Sequence, residues 1–207
     1  MMLPSAMAMI MGAVSPQDVT PVYLGGGKRR NGDSAILTFP ETAEPGDLVV
    51  AGVRSTATIT GGAGGWLYST PVGNGKAAVK RLEIDDLLNV VQCAATPWVF
   101  GVYREPRSTL QRTSGSIAGT GPTLAGFEKS FFCVGLVGLG WSSGGTAEPI
   151  FPAPWTQRQT VSSPDSNNTP FALYDLLDPS DYVDDATIHM GGSSSGTTYG
   201  VVHELLI

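Results

Sequence analysis

Glycine and proline interrupt this chain so often that no long helix has room to form, and that feature narrows the fold more than any other. Both are poor helix formers, glycine for its backbone entropy and proline for its missing N–H and its clash with the preceding turn. With 27 Gly and 15 Pro among 207 residues, they make up about a fifth of the chain, short of the ~25–30% at which a sequence reads as disordered. Between them lie short apolar or alternating runs at 35–39, 48–54, 66–70, 77–84, 98–104, 131–139, 155–161, 171–177, 186–190 and 199–206. Runs of this length closed by turn residues read as strands. The expectation is an all-β protein, a two-sheet jelly-roll sandwich.

Turn chemistry agrees. Pro45, Gly46 and Asp47 precede one run, and Gly73, Asn74 and Gly75 separate two others as a hairpin turn does, since Gly and Asn tolerate positive φ. Residues 85–91 predict one helical turn, limited by Pro97. Residues 105–126, rich in Ser, Thr, Gly and Arg, read as a long connection.

The halves also repeat. Run 48–53, the pair Gly65-Trp66, run 77–84 and run 98–104 recur in order as 132–137, Pro154-Trp155, 171–177 and 199–206. Runs 48–53 and 131–137 are apolar on both faces, whereas Arg81 and Glu83 alternate with Leu82 and Ile84. A further covering layer is required, either the chain's own loops or a neighbouring subunit of a homo-oligomer, and for a sandwich of two layers the subunit is the more economical expectation.

Residues 1–31 have no helical period and no turns for a core of their own, so they are expected to form an extended N-terminal arm ahead of a sandwich spanning 32–207. Met7, Met9, Met11, Val22, Tyr23 and Leu24 are the candidate subunit-interface residues, the methionines filling an irregular groove and the strand adding to a neighbour's sheet edge. Glycines 25–27 are the expected hinge. The arm lacks the basic start of a signal peptide and is too short to span a bilayer.

A net charge of -6 and a pI near 4.8 give no basic field for phosphates, which argues against nucleic acid and against membrane insertion as partners. Cys93 and Cys133 sit in or beside apolar runs and read as buried thiols of a protein assembled in a reducing cytoplasm.

The stretch Glu44-Pro45-Gly46-Asp47-Leu48-Val49-Val50-Ala51, then Gly65-Trp66-Leu67-Tyr68, then a strand ending at Tyr103, resembles a recurring β-sandwich module in structural proteins of tailed bacteriophages and related gene transfer agents. Residues 132–138, Pro154-Trp155-Thr156-Gln157-Arg158 and the closing strand at 200–206 extend the likeness, which covers 33–207. The resemblance implies a non-enzymatic virion component, exposed on the capsid or tail as a decoration, spike or fibre element and in contact with other virion proteins. It carries no catalytic residues and no cofactor. A carbohydrate-binding module for host adsorption is the alternative.

Candidate chemistry is sparse. Ser194 sits in a G-x-S-x-G pattern, but a strand instead of a helix follows it and no Asp comes after, so it does not read as a nucleophile elbow. Two histidines, His189 and His203, and two cysteines leave little for a zinc site. Asp175, Asp178, Asp181, Asp184 and Asp185 are candidate calcium ligands without EF-hand spacing. Gly27-Lys28-Arg29 is not a phosphate loop. Trp141, beside a Ser/Gly-rich stretch, is the candidate for stacking on a host surface glycan.

Overall fold

The computed structural model describes residues 20–113, 117–118, 123–124, 133–143, 148–162, 169–181, 188–189 and 197–207. The first half runs β1 (Val22–Arg29), β2 (Leu48–Arg54), β3 (Ile59–Gly61), β4 (Leu67–Tyr68), β5 (Gly75–Arg81), α1 (Ile84–Leu88), β6 (Val91–Cys93) and β7 (Trp98–Arg104). The second half runs β8 (Ser108–Thr113), β9 (Ile117–Ala118), β10 (Thr123–Leu124), β11 (Cys133–Ser143), β12 (Thr156–Val161), β13 (Phe171–Leu176), β14 (Ile188–His189) and β15 (Thr197–Leu206). The fold is nearly all β, and its two main sheets pack as a sandwich.

The first sheet is ordered β1-β7-β2-β5-β4 and the second β8-β15-β11-β13-β12, with β9 also paired to β15. Numbered by their own order in the chain, the strands of both sheets follow the pattern 1-5-2-4-3. The repeat visible in the sequence is therefore a repeat of topology, with β2, β4, β5 and β7 answering to β11, β12, β13 and β15. A jelly roll passes successive strands between its two sheets. Here each half completes one sheet, because tight turns such as the one at Gly73, where φ is +57°, return the chain beside the strand it has just left.

Side chains from both sheets meet in the central core. Leu48, Val50, Ala77, Val99 and Tyr103 come from the first sheet, and Val137, Leu139, Trp141, Phe171, Leu173, Val201 and Leu205 from the second. The outer faces are covered too. Val49, Ala51, Val53, Phe100 and Val102 lie under Leu37, Ile59, Trp66, Val91 and Cys93, supplied by the 37–43 loop, the β3–β6 ribbon and the segment before β4. Leu136, Ala172, Tyr174 and Val202 lie under Phe151 and Trp155. Of the two covers expected, the chain's own loops lie over 48–53 and 133–137, which corrects the preference for a neighbouring subunit; residues 131–132 lie outside the described residues. Trp66 and Trp155 occupy matching places, each before the third strand of its sheet and each folded over that sheet's outer face.

The arm boundary also differs. Residues 22–29 form β1 and pair with β7 of the same molecule, instead of waiting for a neighbour's edge. Tyr23 packs on Tyr103 with ring centroids 5.4 Å apart, and Leu24 joins the outer cluster of the first sheet. Their side chains serve their own sandwich, and only Val22 of the three is exposed. Met7, Met9 and Met11 lie outside the described residues. The connection expected over 105–126 contains β8, an edge strand whose polar sequence hid it. The helical turn lies at α1, one residue earlier than expected, and run 35–39 contributes only a bridge between Ile36 and Gln92.

Candidate functional site: the open edge of the sandwich

The two long edges of the sandwich are built differently. At one edge β1 and β7 lie over β12 and β13, and large side chains close the gap. Arg158 Nε donates to Asp175 Oδ2 at 2.7 Å, its guanidinium sits 4.7 Å from the centre of the Tyr23 ring, and Gln159 Nε2 donates to the Tyr23 hydroxyl at 3.2 Å. Burial raises the Asp175 carboxyl above the ordinary carboxylate range although Arg158 pulls it down. Burial, joined by the Asp175 charge, also pushes the Tyr103 hydroxyl well up. This polar cluster fastens one sheet to the other.

The opposite edge stays open. There β4 ends the first sheet, β8 ends the second, and a cleft of about 370 Å³ lies between them, lined by Leu48, Leu67, Val79, Arg107, Ser108 and Thr109 among others. The cause is local and legible. Tyr23 pairs with Tyr103 where the first strand of the first sheet meets its neighbour, while Thr109 pairs with Leu205 at the corresponding edge of the second sheet. Two aromatic rings fill one edge, and a Thr-Leu pair leaves the other unfilled.

Arg81 holds the cleft's shape. Its Nε donates to the Arg107 carbonyl at 2.7 Å and its two terminal nitrogens to the carbonyls of Gly46 and Pro106, which pins the β7–β8 crossover across the end of the sandwich. Lys80 points to the outer face instead. Its ammonium is buried with Asp86 at 2.9 Å and also donates to the Gly64 carbonyl. Asp86 accepts from Glu83 N–H at 2.8 Å and Ala63 N–H at 3.1 Å. Gly62, at φ +56°, passes so close that a Cβ there would stand 2.3 Å from Asp86 Oδ1; only glycine fits this loop.

Leu67 is 73% exposed and Leu110 47%, one on each strand flanking the cleft. Among the described residues β4 pairs only with β5 and β8 only with β15, so each presents an unpaired backbone edge. Exposed apolar side chains on an unpaired edge invite pairing, and folded proteins ordinarily blunt such edges with charge or cover. The β1–β12 edge follows that rule, with Lys28, Arg29, Gln157, Arg158 and Gln159 along it.

Other candidates are placed plainly. Trp141 is fully buried in the middle of the sandwich, stacked on Phe171 at 5.8 Å, so it cannot stack on a glycan; β11 continues to Ser143, past the point where the sequence read as a loop tip. Asp175 is committed to Arg158, and Asp178 Oδ1 accepts from the Ser180 backbone and hydroxyl at 2.8 and 2.7 Å. Asp184, Asp185 and Ser194 lie outside the described residues. Among the described residues no three His, Cys, Asp or Glu side chains gather as a metal site. Both cysteines are buried thiols. No helix among these residues is long and apolar enough to cross a membrane.

Sequence reasoning missed the open edge. Leu67 fell inside an expected strand, but Thr109 and Leu110 were assigned to a connection. The signal was the alternation of Thr109, Gln111 and Thr113 with Leu110 and Arg112, a period of two written mostly in polar residues. No family model, no curated protein and no solved structure matches this chain.

Proposed function

We propose that this chain is a non-enzymatic structural protein of a tailed-phage-like virion, exposed on the capsid or tail, assembled in the host cytoplasm and held by contacts with its own copies and with other virion proteins. The observation that carries the reading is the duplicated strand order. The sequence resemblance is to a sandwich module whose strand, Gly/Pro-Trp turn and closing strand recur in the second half, and the two sheets repeat one topology with Trp66 and Trp155 in matching positions. Its ion pairs serve the scaffold: Arg104 grips Asp47 through two bonds of 3.0 and 2.9 Å, Lys80 holds Asp86, and Arg158 holds Asp175. A carbohydrate-binding reading rested on Trp141, which is enclosed.

The test is mass spectrometry of density-purified particles from cells carrying this sequence, with antibody labelling in electron micrographs. Peptides of the chain should track with intact particles, and label should decorate one capsid or tail feature. A chain abundant in the lysate and missing from purified particles would sink the virion reading.

A further inference from the structure

We propose that His203 is an acid-operated latch on the edge strand β8: when the imidazole takes up a proton, β8 leaves β15 while the rest of the sandwich stays folded. The proposal rests on burial and register and is independent of the virion reading. His203 is 1% exposed and lies on the inner face of β15 between Val201 and Leu205, both in the central core. Its two ring nitrogens have no hydrogen-bond partner among the described residues. Such a site holds a neutral imidazole far better than a cation, because an enclosed charge without a counter-ion has to be rehydrated or neutralised. Burial accordingly lowers its pKa from 6.5 to about 4.

Water reaches the ring at least cost from one side. Across the second sheet the row through His203 reads Asp175, Val137, His203 and Gln111. Towards β11 the neighbour is Val137, fully buried on a strand paired along both edges. Towards β8 it is Gln111, half-buried, with no strand paired beyond it among the described residues. Strand β8 itself buries little: Ser108 and Leu110 are exposed, Thr109 is half-buried like Gln111, and none of the four belongs to the apolar core. Detaching it forfeits backbone pairing but hardly any apolar burial, which marks a segment of low local stability. The cleft already extends to Thr109, whose partner Leu205 lies two residues from His203.

No counter-ion is at hand to hold a charged imidazole in place. The core side chains of β2 and β11 are apolar. Tyr23 of β1 and Tyr103 of β7 stand at the closed edge with hydroxyls that burial pushes up, and Asp175 of β13 lies beyond Val137, bonded to Arg158 of β12. At the cleft, Arg81 of β5 and Arg107 are cations themselves, and Glu83 lies 3.6 Å from Lys80. On β15, Tyr199 is four residues back, and Glu204 faces the other way, opposite Leu136 of the outer cluster. On β8, Arg112 pairs with Val202 and not with His203.

Amide hydrogen exchange of the full-length protein, read by mass spectrometry and corrected for the intrinsic effect of pH on exchange, tests the latch. With a pKa of 6.5 once released and about 4 in place, protection of β8 should fall about fifty-fold between pH 7 and pH 4.5. At pH 4.5 the β13 amides should remain at least about a hundredfold better protected than those of β8, since β13 opens only with the whole sandwich. In His203→Leu, which has no proton to take up, the fall in β8 should shrink to a few-fold. His203→Met, more adaptable in shape, supplies the same comparison if the leucine variant does not fold. Equal protection of β8 and β13 at pH 4.5 overturns the proposal, because the imidazole then charges only on global unfolding. A fall in β8 that is absent from the parent, or as large in the variant as in the parent, overturns it too.

Discussion

The indole nitrogen of Trp141 donates to the Val72 carbonyl at 2.9 Å, which ties the central strand of one sheet to the β4–β5 hairpin of the other. Gly75 lies directly over the ring, where a Cβ would stand 2.5 Å from Cε2. Trp141→Ala should therefore cost about 3–5 kcal/mol of stability through the lost ring. Trp141→Phe, which keeps most of the ring but drops the donor, should cost about 1–2 kcal/mol. Urea unfolding measures both. An alanine variant as stable as the parent would show that the ring does not bear on the core.

A second prediction concerns the buried ion pair on the outer face of the first sheet. Asp86→Ala leaves the enclosed Lys80 ammonium with the Gly64 carbonyl and the solvent-exposed Glu83 carboxylate at 3.6 Å, and it removes the acceptor for two backbone donors, so it should cost about 3–5 kcal/mol. Replacing both members, Lys80→Met with Asp86→Leu, should recover part of that loss, because no charge is then left unpaired in the interior. Both values come from urea melts at one pH. If the double replacement is the worse of the two, the desolvated lysine is not the source of the penalty.

The third follows from Gly138, whose φ is ordinary and whose role is space. A Cβ there would stand 2.4 Å from Phe151 Cε1 and 3.1 Å from Trp155 Cζ3, under an aromatic cover in which Phe151 lies 5.0 Å from Trp155 and 4.8 Å from Tyr174. Gly138→Ala should lift this cover, cost about 1–3 kcal/mol and red-shift tryptophan emission as Trp155 gains solvent. An unchanged spectrum and midpoint would mean that the cover yields without loss.

These sites show why some of the molecule was legible in its sequence and some was not. Runs 98–104 and 171–177 matched β7 and β13 to within a residue because β-branched and aromatic residues crowd a buried strand. The repeat was legible because turn residues and tryptophans recur in order. What covers each sheet was not, since packing of Leu37, Phe151 or Trp66 over a distant strand leaves no local signature. Trp141 misled for the opposite reason: its Gly and Ser neighbours have the composition of a loop, yet backbone pairing with Phe171 and Tyr199 keeps the strand going. At the open edge, polar Ser108, Thr109, Gln111 and Arg112 masked β8. The closing strand shows the limit most plainly, because the sequence Val201-Val202-His203-Glu204-Leu205 gives no hint that both polar side chains are buried.

His203 shares its face with Val201 and Leu205 and lies opposite Val137 and Gln111 on the flanking strands, inside the sandwich core. Neither ring nitrogen has a hydrogen-bond partner among the described residues, and burial lowers its pKa from 6.5 to about 4. The imidazole is therefore neutral in the folded protein at pH 6 while the unfolded chain has begun to protonate. Because the unfolded state binds the proton more tightly, stability rises with pH across this window. The contribution is whole above about pH 6.5 and is lost progressively as pH falls towards 4, reaching about 3 kcal/mol at ~1.4 kcal/mol per pKa unit. Carboxylates titrate in the same range, so the clean measurement is a difference. His203→Leu keeps a buried apolar side chain without a titrating group, and its urea-derived stability relative to the parent should improve by about 3 kcal/mol between pH 7 and pH 4. Parallel stability curves for the two proteins across that interval would mean that His203 accepts its proton as readily inside the sandwich as in the unfolded chain, so that its burial does not hold the imidazole neutral.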